Sequence, residues 1–148
     1  MTNSNNAKLI KQHGWLCQHV SPMPWQSEEF PFSYSIGFYE TYKQPEIMVI
    51  GYQGKIAYDF LFSCLQIIRR GETLEAGKRI DNVLANGYQV GFKEIRKECY
   101  EEHLGMAVRY YGHADFPALV LFWPDKDNRL PWEPGYDGIK QEQELRLV

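Results

Sequence analysis

Two short runs, Glu46-Ile47-Met48-Val49-Ile50 and Pro117-Ala118-Leu119-Val120-Leu121-Phe122-Trp123, carry apolar side chains at odd and even positions alike. A strand with one wet face alternates with a period of two, so a strand that does not alternate is buried on both faces. Both runs are bounded by turn-forming residues and are too short for a core helix. The chain is therefore built around a sheet with central strands, and helices must pack on that sheet.

Other segments supply the rest of that sheet. Phe32-Ser33-Tyr34-Ser35-Ile36-Gly37-Phe38 alternates large apolar with small residues and reads as a half-buried strand. Trp15 to Val20 reads as a strand with Trp15, Cys17 and His19 on one face, and Tyr88 to Lys93 as another. The strongest helix runs from Ile56 to Arg70, where Ala57, Phe60, Leu61, Cys64, Leu65 and Ile68 form one wide stripe and Gly71 ends it. Lys97 to Tyr111 predicts a second amphipathic helix, and Ala7 to His13 a short one stopped by Gly14. Ser21–Pro31 is a loop, Gly37–Pro45 a turn, and Glu72–Asn86 mostly loop. The order α, β, β, β, α, β, α, β predicts an α+β fold. It is a single domain over 1–148 with a mixed, largely antiparallel sheet and two main helices packed on it. Residues 1–6 are expected to fray, and the tail 138–148 is left unassigned.

Composition narrows the function. The chain has 148 residues, 44% of them apolar, and a net charge of −3, so no bulk positive field draws in nucleic acid. Its longest apolar run, Pro117–Trp123, falls well short of the roughly 20 residues that span a bilayer. The polar start Thr2-Asn3-Ser4-Asn5-Asn6 does not read as a secretion signal. Cys17, Cys64 and Cys99 are an odd, widely spaced set, which argues for free thiols in a reducing cytoplasm.

Several letter patterns suggest chemistry. Trp123-Pro124-Asp125 matches the general-acid loop of tyrosine phosphatases, and Cys64 to Arg70 has the C-x5-R spacing. That phosphate loop needs convergent backbone N–H groups, whereas Leu65 to Arg69 fall inside a helix, so the match is rejected. Gly54-Lys55 fails as a phosphate-binding loop because Val49 and Ile56 replace the required glycine and hydroxyl. Cys17, His19, Cys99 and His103 could compose a Cys2His2 zinc set, but the short paired spacings of such sites are missing. No cofactor is predicted beyond that weak zinc case. His113-Ala114-Asp115 offers a base beside a carboxylate but no adjacent nucleophile, and a polar connection is the simpler account. Between Phe122 and Trp132, a buried strand stops at Pro124, a polar turn follows, and Pro131-Trp132 re-enters. Two indoles and a carboxylate are thereby held near a strand end, as a recognition site or as a stiff corner. Trp15, Trp25, Trp123, Trp132, Tyr34, Tyr110 and Tyr111 exceed what a core alone needs; they fit either an aromatic core with polar tips at its rim or a partner-anchoring patch.

In order along the chain, His13-Gly14-Trp15, Phe32 to Phe38, Pro45 to Gly51, Tyr110-Tyr111, Phe122-Trp123-Pro124-Asp125 and Pro131-Trp132-Glu133 resemble a bacterial family known as domain of unknown function 4262. This chain has Ser35 and Phe38 where that family usually has Thr and Leu, and Gln141-Glu142-Gln143-Glu144 lacks its C-terminal Gln-Pro. The resemblance implies a stand-alone cytoplasmic domain and carries no activity with it. The binding candidates are Tyr34, Ser35, Glu46, Tyr111, Trp123, Asp125 and Trp132, with no catalytic or metal residue assigned. The expected function is a non-enzymatic, immunity-like or sequestering module with a protein partner, binding neither nucleic acid nor membrane. The alternative is a small enzyme or a nucleotide- or flavin-type binding domain using Glu46, Asp125 and His113 in an aromatic pocket.

Overall fold

A computed structural model describes residues 4–25, 30–138 and 147–148. Five strands form one mixed sheet in the order β1-β2-β3-β5-β4. They are β1 (Leu16–Val20), β2 (Phe32–Ile36), β3 (Glu46–Ile50), β4 (Gly91–Glu94) and β5 (Ala118–Phe122). The two runs without alternation, β3 and β5, are the inner strands and pair in parallel, Ile47 opposite Leu119. The pairs β1–β2, β2–β3 and β4–β5 are antiparallel. The fold is α+β with a mostly antiparallel sheet, as the sequence predicts.

Each face of β3 and β5 has its own core. Ile47, Val49, Leu119 and Leu121 pack under the long helix α3 (Gly54–Arg69), through its Leu61, Cys64 and Leu65. Met48, Ile50, Val120 and Phe122 face the other way, onto Ile10 of α1 (Ser4–His13) and onto Leu104 and Ala107 beside and within α5 (Gly105–Tyr111). Ile47, Met48 and Val49 are wholly buried, and each such side chain stabilises the fold by about 1.5–3 kcal/mol.

Three expectations change. The predicted helix 97–111 is broken into a 3-10 turn (Lys97–Cys99), α4 (Tyr100–His103) and α5, because Leu104 leaves helical geometry (φ −112°, ψ 33°) ahead of Gly105. The break frees N–H groups at the start of α5, and the buried Tyr34 hydroxyl accepts that of Met106 at 3.1 Å. The turn expected after Gly37 contains a helix, α2 (Phe38–Tyr42), so β2 ends at Ile36. Helix α1 starts at Ser4, inside the stretch expected to fray. The expected tail lies mostly outside the described residues, although Leu147 and Val148 pack on the α5-side core.

Candidate binding site

Glu46 opens β3 and is wholly buried, yet its carboxylate accepts five hydrogen bonds. Ser35 Oγ (2.7 Å) and Phe38 N (3.1 Å) donate to Oε1. Gly37 N and Tyr39 N (both 3.1 Å) and the Tyr111 hydroxyl donate to Oε2. Three of these donors are backbone N–H groups at the start of α2, so Glu46 is what lets that five-residue helix begin inside the protein. Tyr111 Oη also accepts from Gly37 N (3.2 Å) and Glu40 N (3.3 Å), and Ser35 Oγ accepts from Ile47 N (3.0 Å). Burial pushes the Glu46 carboxyl up from the ordinary range, while the donors from Tyr111, Ser35, Tyr39 and Gly37 pull against it. Gly37 itself sits at φ 118°, and a Cβ there would lie 2.5 Å from the Gly14 carbonyl oxygen. The candidates Ser35, Glu46 and Tyr111 thus meet in one junction, with Tyr34 nearby capping α5, and every polar atom in it holds backbone.

Asp125 does the same job elsewhere. Its Oδ1 accepts from Asp127 N and Arg129 N, and its Oδ2 from Asp137 N and Arg129 Nε, each at 2.9 Å. Burial pushes this carboxyl up, but the N–H groups of Arg129 and Asp137, the Arg129 guanidinium and Asp127 N–H outweigh it and hold the pKa at about 2. Trp123 and Trp132 flank the strand end from opposite faces of the sheet. Trp123 packs edge-on to Tyr52 (5.3 Å) at the α3-side core. Trp132 meets Phe122 (5.2 Å) of the other core and takes Lys93 Nζ over its ring at 4.7 Å.

The sheet holds apart several of the groups that the sequence suggested as partners. Glu46 opens β3 beside Ala118, whereas Asp125 follows the far end of the parallel β5, so the two acids lie at opposite ends of the sheet. His113 Nδ1 accepts from Asp115 N (3.0 Å), and its ring stacks on Tyr111. Cys17 packs on the α3 side and Cys99 on the α5 side, so the sheet separates the two halves of the suggested zinc set. Cys64 is sealed inside α3, where burial pushes its thiol up to about 12.

Two ring-lined cavities open on the α3 side. One, about 410 Å³, is bounded by Tyr52, Phe60, Tyr88 and Trp123. The other, about 500 Å³, runs along β1 between α1 and α3, where Trp15, Tyr58 and Phe62 form a ladder with Trp15–Tyr58 at 5.3 Å and Tyr58–Phe62 at 6.0 Å, both stacked. Tyr58 is 44% exposed and Phe62 37%. Leu16 and Cys17 line the β1 groove together although they project to opposite faces of the sheet, so the groove wraps the strand's outer edge. Arg69 also lines it, bonded to the Tyr42 hydroxyl (3.2 Å) and to Gln66, and in no ion pair among the described residues. Burial pushes the Cys17 thiol up to about 11, away from nucleophilic use. His19 Nδ1 lies 2.7 Å from the wholly buried Ser33 Oγ, which also lies 3.1 Å from the Tyr52 carbonyl oxygen.

None of the seven predicted candidates lines the β1 groove. Its signals in the sequence are the absence of Asp and Glu from the first 27 residues of a net-acidic chain and the uncharged strand Leu16-Cys17-Gln18-His19-Val20.

No helix among the described residues is long and apolar enough to cross a membrane. No curated protein and no solved structure matches the chain. The model of the family described as "Domain of unknown function (DUF4262)" matches residues 9–137, and the chain belongs to that family.

Proposed function

We propose that the chain is a protein-binding module, of an immunity-like or sequestering kind, that performs no chemistry on its partner. The observation that supports this reading is the stacked Trp15–Tyr58–Phe62 ladder, left partly open in a groove along a strand edge. Partly exposed aromatic rings beside apolar side chains such as Leu9, which is 44% exposed, are what protein interfaces bury as anchors. The carboxylates that could serve catalysis, Glu46 and Asp125, are instead saturated with backbone donors. The test places a photo-crosslinking residue at position 58 and, as a control, at the exposed Glu101, in cells that make the protein. A discrete protein adduct at 58 alone is expected. Adducts independent of position, or turnover of an ester, phosphate or glycoside panel that disappears in Asp125→Ala, would overturn the reading.

A second reading is favoured by one observation. The Tyr52–Phe60–Tyr88–Trp123 cavity has the size and ring lining that suit a small planar ligand of the nucleotide or flavin type. Native mass spectrometry and an absorbance scan of freshly purified protein decide it: a stoichiometric small molecule supports this reading, and a clean apo mass opposes it.

A further inference from the structure

Resting on that protein-binding reading, we propose that the partner is an extended acidic segment that adds a strand to the free edge of β1 and lays alternate side chains into the groove between β1 and α3. The first ground is the edge itself. β1 ends the sheet, and its five consecutive pairs with β2 contain no bulge. Natural edges are blunted with lysine, proline, bulges or a covering segment. Leu16-Cys17-Gln18-His19-Val20 carries no proline, lysine or carboxylate, and among the described residues no strand pairs with its outer side. Such an edge offers a row of backbone donors and acceptors in the form a strand-adding peptide uses.

The second ground is position. Side chains from both faces of β1 line the groove, so a chain hydrogen-bonded to the edge would have its own side chains directed along that groove. The Trp15–Tyr58–Phe62 ladder supplies the apolar contact for one set of alternate residues.

Charge selects the occupant. The groove is lined by His13, His19 and Arg69 and by no Asp or Glu. Helix α1 adds Lys8 and Lys11 and has no acid, in a chain whose net charge is −3. A carboxylate in a docked segment would meet the Arg69 guanidinium, which pairs with no carboxylate in the described residues. A second copy of this chain would bring the same cations to the same place, which disfavours edge-to-edge pairing of two β1 strands.

The experiment selects random displayed peptides of about twelve residues on the intact chain. Selected peptides are then synthesised in plain form, with alternate backbone nitrogens methylated, and with their acids replaced by lysine. Selection should enrich Asp and Glu interspersed with aliphatic residues. The plain peptide should protect the amides of residues 16–20 from hydrogen exchange. Methylation should weaken it roughly tenfold or more, since each blocked N–H removes one edge hydrogen bond. Arg69→Gln should weaken it by roughly tenfold, and Lys replacement at least as much. Basic consensus sequences, indifference to methylation, protection elsewhere, or no binder at all would overturn the proposal. An adduct at position 58 together with indifference to methylation would end strand addition while leaving the protein-binding reading standing. Absence of that adduct would remove the wider reading first.

Discussion

The two edges of the sheet are finished in opposite ways. At β4 the segment before the strand folds back as a cover, with Gly77 N donating to Phe92 O (3.3 Å) and Ile80 and Val90 exchanging both backbone bonds (2.9 and 3.0 Å). Lys93 and Glu94 put charges on that edge, and the Trp132 indole lies over it. At β1 no strand covers the outer side among the described residues, the strand itself carries no Asp, Glu, Lys or Arg, and the rings beside it stay partly open. Among the described residues, the same sheet therefore has one edge closed by its own chain and one left open. The contrast sets the β4 edge, closed by the segment before it and by the Trp132 indole, against the β1 edge at which the proposed partner would dock.

The largest effect should come from prying the closed edge apart. A Cβ at Gly91 would sit 2.6 Å from Leu130 Cδ1 and 3.0 Å from Trp132 Cζ2, and Leu130 is buried. Gly91→Val should cost about 3 kcal/mol through overpacking, read as a lower urea midpoint with an unchanged slope. If it is silent, the turn does not seal β4. Next is Arg79, which donates to Gln89 Oε1 (2.8 Å), Glu133 Oε1 (2.5 Å) and the Asn128 carbonyl, tying the covering segment to the turn. Arg79→Met should cost about 2 kcal/mol, in keeping with loss of charge-assisted bonds at a half-buried site, with faster hydrogen exchange at residues 77–90. Unchanged exchange there would show that the cover holds without its clamp.

A smaller effect should follow acidification. The Asp125 carboxyl is held at about 2, below its ordinary value of 3.8. The folded state thus holds this proton less readily than the unfolded one. Its stabilisation is present above the unfolded value and is lost as pH falls through the interval down to about 2. Wild type should show a steeper acid limb than Asp125→Asn, which should already be less stable at neutral pH. Parallel limbs in the two proteins would place that titration on other carboxylates.

Which parts of this contrast could be read from the sequence depends on how far each determinant reaches. The inner strands and α3 were legible because Ile47–Ile50, Ala118–Phe122 and the Ala57–Ile68 stripe carry their own periodicity. Helix α2 was not, since its N-terminal N–H groups are satisfied by Glu46 and Tyr111, one after the helix and one much further along the chain. The break at Leu104 was hidden for the same reason, its freed N–H being met by Tyr34 from β2. Among the candidates, Ser35, Glu46 and Tyr111 lie in the motifs of the family resemblance, and no local pattern reveals that they bond to one another and to the backbone of α2 and β3. The β1 groove was missed because edge position is a property of strand order, and no local pattern encodes strand order.

The smallest effect on stability is expected where the edge is open. Gln18 lies mid-strand in β1, and lysine there is what natural sheets use to blunt an exposed edge. Gln18→Lys removes no core contact and should change stability by less than about 0.5 kcal/mol. The cations beside β1 already disfavour pairing of two copies there, so wild type and variant alike should sediment without a concentration-dependent rise. The same lysine should leave the Gly91 and Arg79 effects unchanged, because the two edges are separated by three strands and share no side-chain partner among the described residues. A large stability loss in Gln18→Lys would mean that β1 is packed against something on its outer side, and the asymmetry between the edges would then disappear.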